Sequence, residues 1–293
     1  MIDGALIGGS FLVAVVVGLT GMGGGALMTP MMMLFFNVPP LAAVSSDLVA
    51  SAVMKPVGGV VHLRRGTVNL RLVGWLCVGS VPAAFCGVFL ARAFAVSDAV
   101  KYALGVALLL AVAGMAVKSW LGGRGGTSSA HDIVVRPIPT LLVGTVGGLV
   151  VGVSSVGSGS LIIVALLVLY PALKANQLVG TDLVQAVPLV AAAALGHLLF
   201  GDFQLDLTVS LLIGSIPGVY LGARISSRAP GGLIRAMLAI VLLASALKLL
   251  DASNALTVGA LVAATAVTVI GWRLRVRSAA RASSESTDLE PAR

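Results

Sequence analysis

Charge is scarce in this chain. Of its 293 residues only 10% are Asp, Glu, Lys or Arg, 5% are aromatic, and there are two cysteines and three histidines. Set against 58% hydrophobic residues and a mean hydropathy of +1.07, so little charge excludes an ordinary soluble domain and indicates a polytopic membrane protein. Cys77 and Cys86 share one apolar segment and have no His or carboxylate at ligand spacing, so they read as packing residues. No metal and no cofactor is expected. The absence of a nucleotide-binding loop, of an HExxH pair and of paired carboxylates in a span leaves an intramembrane enzyme or an ATP-driven pump without its machinery. No Lys or Arg precedes the first apolar run, so that run is expected to belong to the fold and not to a cleaved leader.

What is present is a series of long apolar runs. A span of the hydrocarbon layer takes about 20 residues, and 41–62, 70–94, 99–121, 178–200, 205–226 and 232–250 each fit, with a seventh at 255–272. Two further runs, 4–36 and 138–170, are too long for one span and are broken near the middle by small residues. They open two matching halves. GLTGMGGGAL at Gly18 corresponds to GVSSVGSGSL at Gly152, 134 positions on. SSDL at Ser45 corresponds to GTDL at Gly180, His62 to His197, and GSVP at Gly79 to GSIP at Gly214, each 135 positions on. The division expected is a first transmembrane repeat over 1–121, a linker over 122–137, a second repeat over 138–250, one extra C-terminal span over 251–272 and a disordered tail over 273–293.

The net charge of +8 comes from Lys and Arg between the apolar runs and in the tail, which makes it a topology signal and argues against a nucleic-acid partner. If each long run is a re-entrant hairpin, every half has three true spans and the halves are inverted relative to one another. An outer N-terminus and a cytoplasmic C-terminus then place Arg64, Arg65, Lys118, Arg124, Arg136, Lys174, Arg224 and Arg273 inside, as the charge rule asks. Single spans in place of the hairpins would leave Arg64, Arg65, Arg124 and Arg136 outside. The fold expected is therefore all-α: two inverted-topology repeats, each a broken-helix hairpin plus three spanning helices, with one additional span.

Broken helices inside a membrane must face protein or a wet cavity, because their backbone groups would otherwise lack partners. A half-helix starting at each break exposes N–H groups and the positive end of its dipole, a site for an anion. Two such ends meeting near the midplane are where transporters with broken helices hold substrate. This makes Thr20, Gly21, Gly23, Gly24 and Gly25 in the first break, with Ser154, Ser155, Gly157, Ser158 and Gly159 in the second, candidate contacts for a small anionic substrate.

Ionisable groups within spans are costly and usually functional. Asp47, Lys55 and His62 share a broad face of the second segment. Lys55 either offers its charge to the anion or snorkels to the headgroups; its counterpart in the second half is Val190. Asp47 and Asp182 read as helix caps or as carriers of a coupling proton. His62 and His197 read as interfacial anchors or proton relays, and Gln185 as an orienting group or a bundle contact.

A glycine-rich break followed by a small-residue half-helix, repeated in two halves with SSDL and GTDL at the next helix, resembles the TauE/SafE sulfite exporter family over about Gly4 to Leu250. The resemblance implies a membrane exporter or permease for sulfite, sulfoacetate and related sulfur-containing anions. It adds Ser46 and Thr181, the hydroxyls of those motifs, to the candidate contacts. The function expected is a secondary transporter of a small anion in the cytoplasmic membrane, exporting by alternating access. The alternatives are a proton-coupled importer of another anion and a cation transporter working through Asp47 and Asp182. Besides substrate the expected partner is membrane lipid, and association into a homo-oligomer stays open.

Overall fold

The computed structural model describes residues 4–20, 24–93, 98–121, 133–226 and 231–268, in two compact units, Met1–Leu250 and Asp251–Arg293. In the first unit ten helices follow in order: α1 (Gly4–Thr20), α2 (Gly25–Phe35), α3 (Pro40–Arg64), α4 (Leu70–Ala93), α5 (Ala99–Leu121), α6 (Pro137–Ser154), α7 (Leu161–Leu169), α8 (Ala175–Phe200), α9 (Leu205–Ser226) and α10 (Gly231–Leu249). In the second unit the described residues include one apolar helix, Asn254–Thr268, where the sequence places its extra span. The tail over 273–293 and most of the linker over 122–137 lie outside the described residues.

Both long apolar runs break and fold back. A Cβ added to Gly9 of α1 would lie 3.1 Å from Met31 Sδ and 3.3 Å from the Phe36 ring, so the end of α2 returns to the first half of α1. In the second hairpin the Tyr170 hydroxyl, at the end of α7, accepts the Arg136 N–H at 2.8 Å and lies 2.6 Å from Thr140 Oγ1, at the start of α6. The second turn contains two glycines at positive φ, Gly157 (130°) and Gly159 (93°), a region side chains disfavour. Ser155 ends α6 in the left-handed region at φ 58° without being glycine.

The lengths differ in part from expectation. Helix α6 has 18 residues and is apolar enough to cross a membrane by itself, as are α4, α5, α8 and α9. Its last residue, Ser154, is nonetheless buried in protein. Helix α3, expected as an ordinary span, has 25 residues, enough for about 37 Å, but includes Ser45, Ser46, Asp47, Ser51 and Lys55 among its buried residues.

Packing partners exchange between the halves. Helix α1 lies along α9, and its counterpart α6 lies along α4; α3 pairs with its own counterpart α8, and α5 with α10. Gly79 faces Leu141 and Thr145, while Gly87 faces Leu149 and Gly152, so α4 and α6 run parallel. Gly214, Gly218 and Gly222 face Ile7 and Ser10, Phe11 and Ala14, and Val15 and Leu19 in the same sense along α1. The α3–α8 pair is antiparallel, because Ser45 meets His197 and Gly180 meets His62. Both parallel contacts are glycine stripes. Added Cβ atoms on Gly144, Gly148 and Gly152 would overlap the carbonyl oxygens of Leu76, Ser80 and Ala84, so the backbones touch as in small-xxx-small packing. Gly8 of α1, by contrast, has nothing within 4 Å of such an atom.

Gly148→Leu should therefore lower the melting temperature of the detergent-purified protein by about 5 °C or more, since overpacking costs about 1–3 kcal/mol and rigid backbone cannot yield. Gly8→Ala should leave it within about 1 °C. Thermal unfolding followed by intrinsic fluorescence checks both.

Candidate functional site

The start of α2 meets the second hairpin turn. A Cβ on Gly25, the first residue of α2, would overlap the carbonyl oxygen of Ser155 and lie 2.7 Å from its Oγ. Glycine at position 25 thus lets the start of one half-helix press against the break of the other.

Asp47 joins three elements at this point. Its Oδ2 accepts Ser155 Oγ at 2.5 Å and Thr29 Oγ1 at 3.2 Å, linking α3 to the second turn and to α2. The side chain is fully buried, and among the described residues its Oδ1 has no hydrogen-bond partner. Asp47 lies inside α3 and Asp182 inside α8, whose starts are Pro40 and Ala175. Neither carboxylate caps its own helix. Proline at the first helical position begins α3 upstream of the SSDL hydroxyls.

Lys55 turns inward. It is 9% exposed and its Nζ donates to Ser158 Oγ at 2.5 Å. It lies within Coulombic reach of Asp182 and Asp47. Helix α3 therefore grips the second turn at both ends, by carboxylate at Ser155 and by ammonium at Ser158. The tie does not fit snorkelling, because the amine bonds a buried hydroxyl and not a headgroup.

The other candidates distribute around this centre. Gln185 Nε2 donates to Ser80 Oγ at 2.6 Å, linking α8 to α4. Ser215, the counterpart of Ser80, is buried with its Oγ unpartnered among the described residues, because the counterpart of Gln185 is Ala50. Ser46 Oγ is likewise buried without a described partner. Thr181 Oγ1 accepts the Asn69 N–H at 3.1 Å, at the start of α4. Ser154 Oγ closes its own helix on the Val150 carbonyl at 2.7 Å. Gly24 precedes α2, and its carbonyl accepts the Leu27 and Met28 N–H groups at 3.0 and 2.9 Å. The Thr20 side chain, Gly21 and Gly23 lie outside the described residues.

The amides at the second turn are less available than the sequence suggests. Ser160, Leu161 and Ile162 all direct their N–H groups at the Gly157 carbonyl, at 3.3, 3.0 and 3.4 Å. Gly157, at positive φ, thus closes the start of α7 onto its own carbonyl. The cationic group facing this turn is Lys55.

The two histidines differ. His197 is buried; its Nε2 lies 2.8 Å from the Gly152 carbonyl and its Nδ1 2.8 Å from Ser45 Oγ, so it joins α8 to α6 and α3. A carbonyl only accepts, so Nε2 carries a proton. His62 is half-buried and its Nδ1 meets Thr67 Oγ1 at 3.0 Å, within the same turn of chain.

Sequence reasoning missed Thr29, Ser80 and Tyr170. Ser80 carried a signal, since GSVP recurs as GSIP. Thr29 is a lone hydroxyl in an apolar half-helix, and Tyr170 stands where the first half has Phe36; neither repeats.

His197→Ala removes a buried side chain hydrogen-bonded to two partners and should cost about 1–3 kcal/mol of stability, whereas His62→Ala should fall within about 0.5 kcal/mol of wild type. Unfolding of both variants in detergent separates the two roles.

Residues 6–249 match the family described as sulfite exporter TauE/SafE. The probable membrane transporter protein YjnA of Bacillus subtilis strain 168 is 36% identical over 245 residues, covering 81% of this chain and 96% of that protein. YdhB, a second probable membrane transporter protein of that organism, is 24% identical over 224 residues, covering 75% of this chain and 89% of its own. No solved structure matches. The family match takes in both hairpins, the helices between them and the buried polar centre, and it makes this multi-pass membrane chain a member of the sulfite exporter TauE/SafE family of transporters.

Proposed function

We propose that the protein is a secondary transporter that moves a small anion, sulfite or an organosulfonate, out across the cytoplasmic membrane by alternating access. The observation that carries this reading is Lys55, a buried ammonium held by one serine of the second turn, against which the start of α2 packs. A buried charge in a membrane protein is retained for a ligand or a pathway, and a cation with Ser158 on one proton has others to offer an oxyanion. The breaks frame this position, and Ser46 and Gln185 supply polar groups on the paired helices α3 and α8. An inside-negative potential favours anion efflux by about 2.3 kcal/mol per charge per 100 mV, so export needs no coupling ion.

A cation transporter working through Asp47 is the weaker reading, because the buried ammonium of Lys55 stands at the same turn and would repel a simple cation. The proposed orientation, with the N-terminus outside and the C-terminus in the cytoplasm, follows the Lys and Arg distribution.

Sulfite, sulfate, sulfoacetate and lactate should be tested for thermal stabilisation of the purified protein. One of the oxyanions should stabilise it, and Lys55→Gln should weaken that binding at least tenfold while Lys101→Gln leaves it unchanged. Binding that ignores Lys55→Gln would remove the reading. For topology, Asp202→Cys in a background lacking Cys77 and Cys86 should react with an impermeant maleimide on intact cells, and Lys174→Cys only after lysis.

A further inference from the structure

We propose that the ligand of this site is a short zwitterion, an oxyanion group and an ammonium joined through two or three bonds, with Lys55 pairing the first and Asp47 Oδ1 the second. The proposal rests on the Lys55 oxyanion contact read above and adds a second, cationic contact; a zwitterion has no net charge, so the membrane potential would not drive its efflux as it drives that of a simple anion.

Three observations carry it. First, the two oxygens of Asp47 are treated differently. Oδ2 accepts two hydroxyl donors, from Ser155 and Thr29, while the buried Oδ1 has none among the described residues. A carboxylate oxygen can only accept, and a buried acceptor without a donor is costly. A proton would not cure this, because a protonated Oδ1 becomes a donor in equal need of a partner. An ammonium would.

Second, the charges are out of balance for a simple anion. Among the described residues of this centre Lys55 is the one ammonium, and both Asp47 and Asp182 lie within its Coulombic reach. An anion bound at Lys55 meets two carboxylates in a low-dielectric setting, where repulsion is strong. A ligand that carries its own ammonium to Asp47 offsets the charge it introduces.

Third, the spacing suits a small molecule. Asp47 and Lys55 hold Ser155 and Ser158, three residues apart in one turn and so at most about 10 Å between Cα atoms. The two groups that would hold the ligand thus reach one short turn, which suits a small molecule and not an extended chain.

The test is a matched set on the purified full chain, with binding measured by calorimetry. 2-Aminoethanesulfonate is compared with 2-hydroxyethanesulfonate and ethanesulfonate, and β-alanine with propionate. The amino compound of at least one set should bind at least tenfold more tightly than its partner lacking the amino group. Asp47→Asn should reduce that preference to less than threefold while ethanesulfonate affinity holds, a change in selectivity that lost packing would not produce. Ethanesulfonate binding as tightly as its amino analogue in the wild-type protein overturns the zwitterion and leaves the anion reading standing. If none of the five compounds nor sulfite binds, both fall. If Asp47→Asn does not fold, the wild-type comparison still decides.

Discussion

The structure depends on direct backbone contact between helices. Two helix pairs end inside the protein, and a hairpin turn at membrane depth must have its peptide groups satisfied by protein. The glycine stripes of α6 against α4, and of α9 against α1, bring carbonyl groups where a side chain would otherwise stand. Each stripe fixes a broken hairpin of one half to a full-length helix of the other. The hairpins are therefore held by the opposite half, and only with that support can the turns approach closely enough for Gly25 to sit on Ser155.

Everything at the polar centre follows from that closeness. Asp47 and Lys55 are eight residues apart on one helix, and they reach two serines of a turn more than a hundred residues away in the chain. Neither would be tolerable without those serines, given the cost of an unpaired buried charge. Burial, pairing and the left-handed backbone at Ser155 are one arrangement.

Much of the fold was legible because membrane sequence is constrained in simple ways. Run length gave the helices. The breaks were legible because glycine and serine interrupted apolar runs at matching places. The pairing of α1 with α9 and of α4 with α6 was not legible, since glycine spacing marks a contact without naming its partner. The site was half legible. Asp47, Lys55 and the second break stood out as polar groups in apolar surroundings. The use of the Gly157 carbonyl by three amides of its own turn depends on a backbone rotation that composition does not encode. The loss of a cap role for Asp47 turned on where α3 begins, and Pro40 sets that start five residues before the motif.

The Lys55–Ser158 tie has no counterpart. The equivalent residues are Val190 and Gly24, which cannot form it. In a transporter built of exchanged halves, swapping the conformations of the two repeats converts one access state into the other, and identical halves would make the two equally populated. A hydrogen bond to a charged group is worth about 1.5–3 kcal/mol net, equivalent to a roughly ten- to hundredfold ratio between states. Under the alternating-access reading proposed above, one lysine opposite one valine would give the empty carrier a resting side.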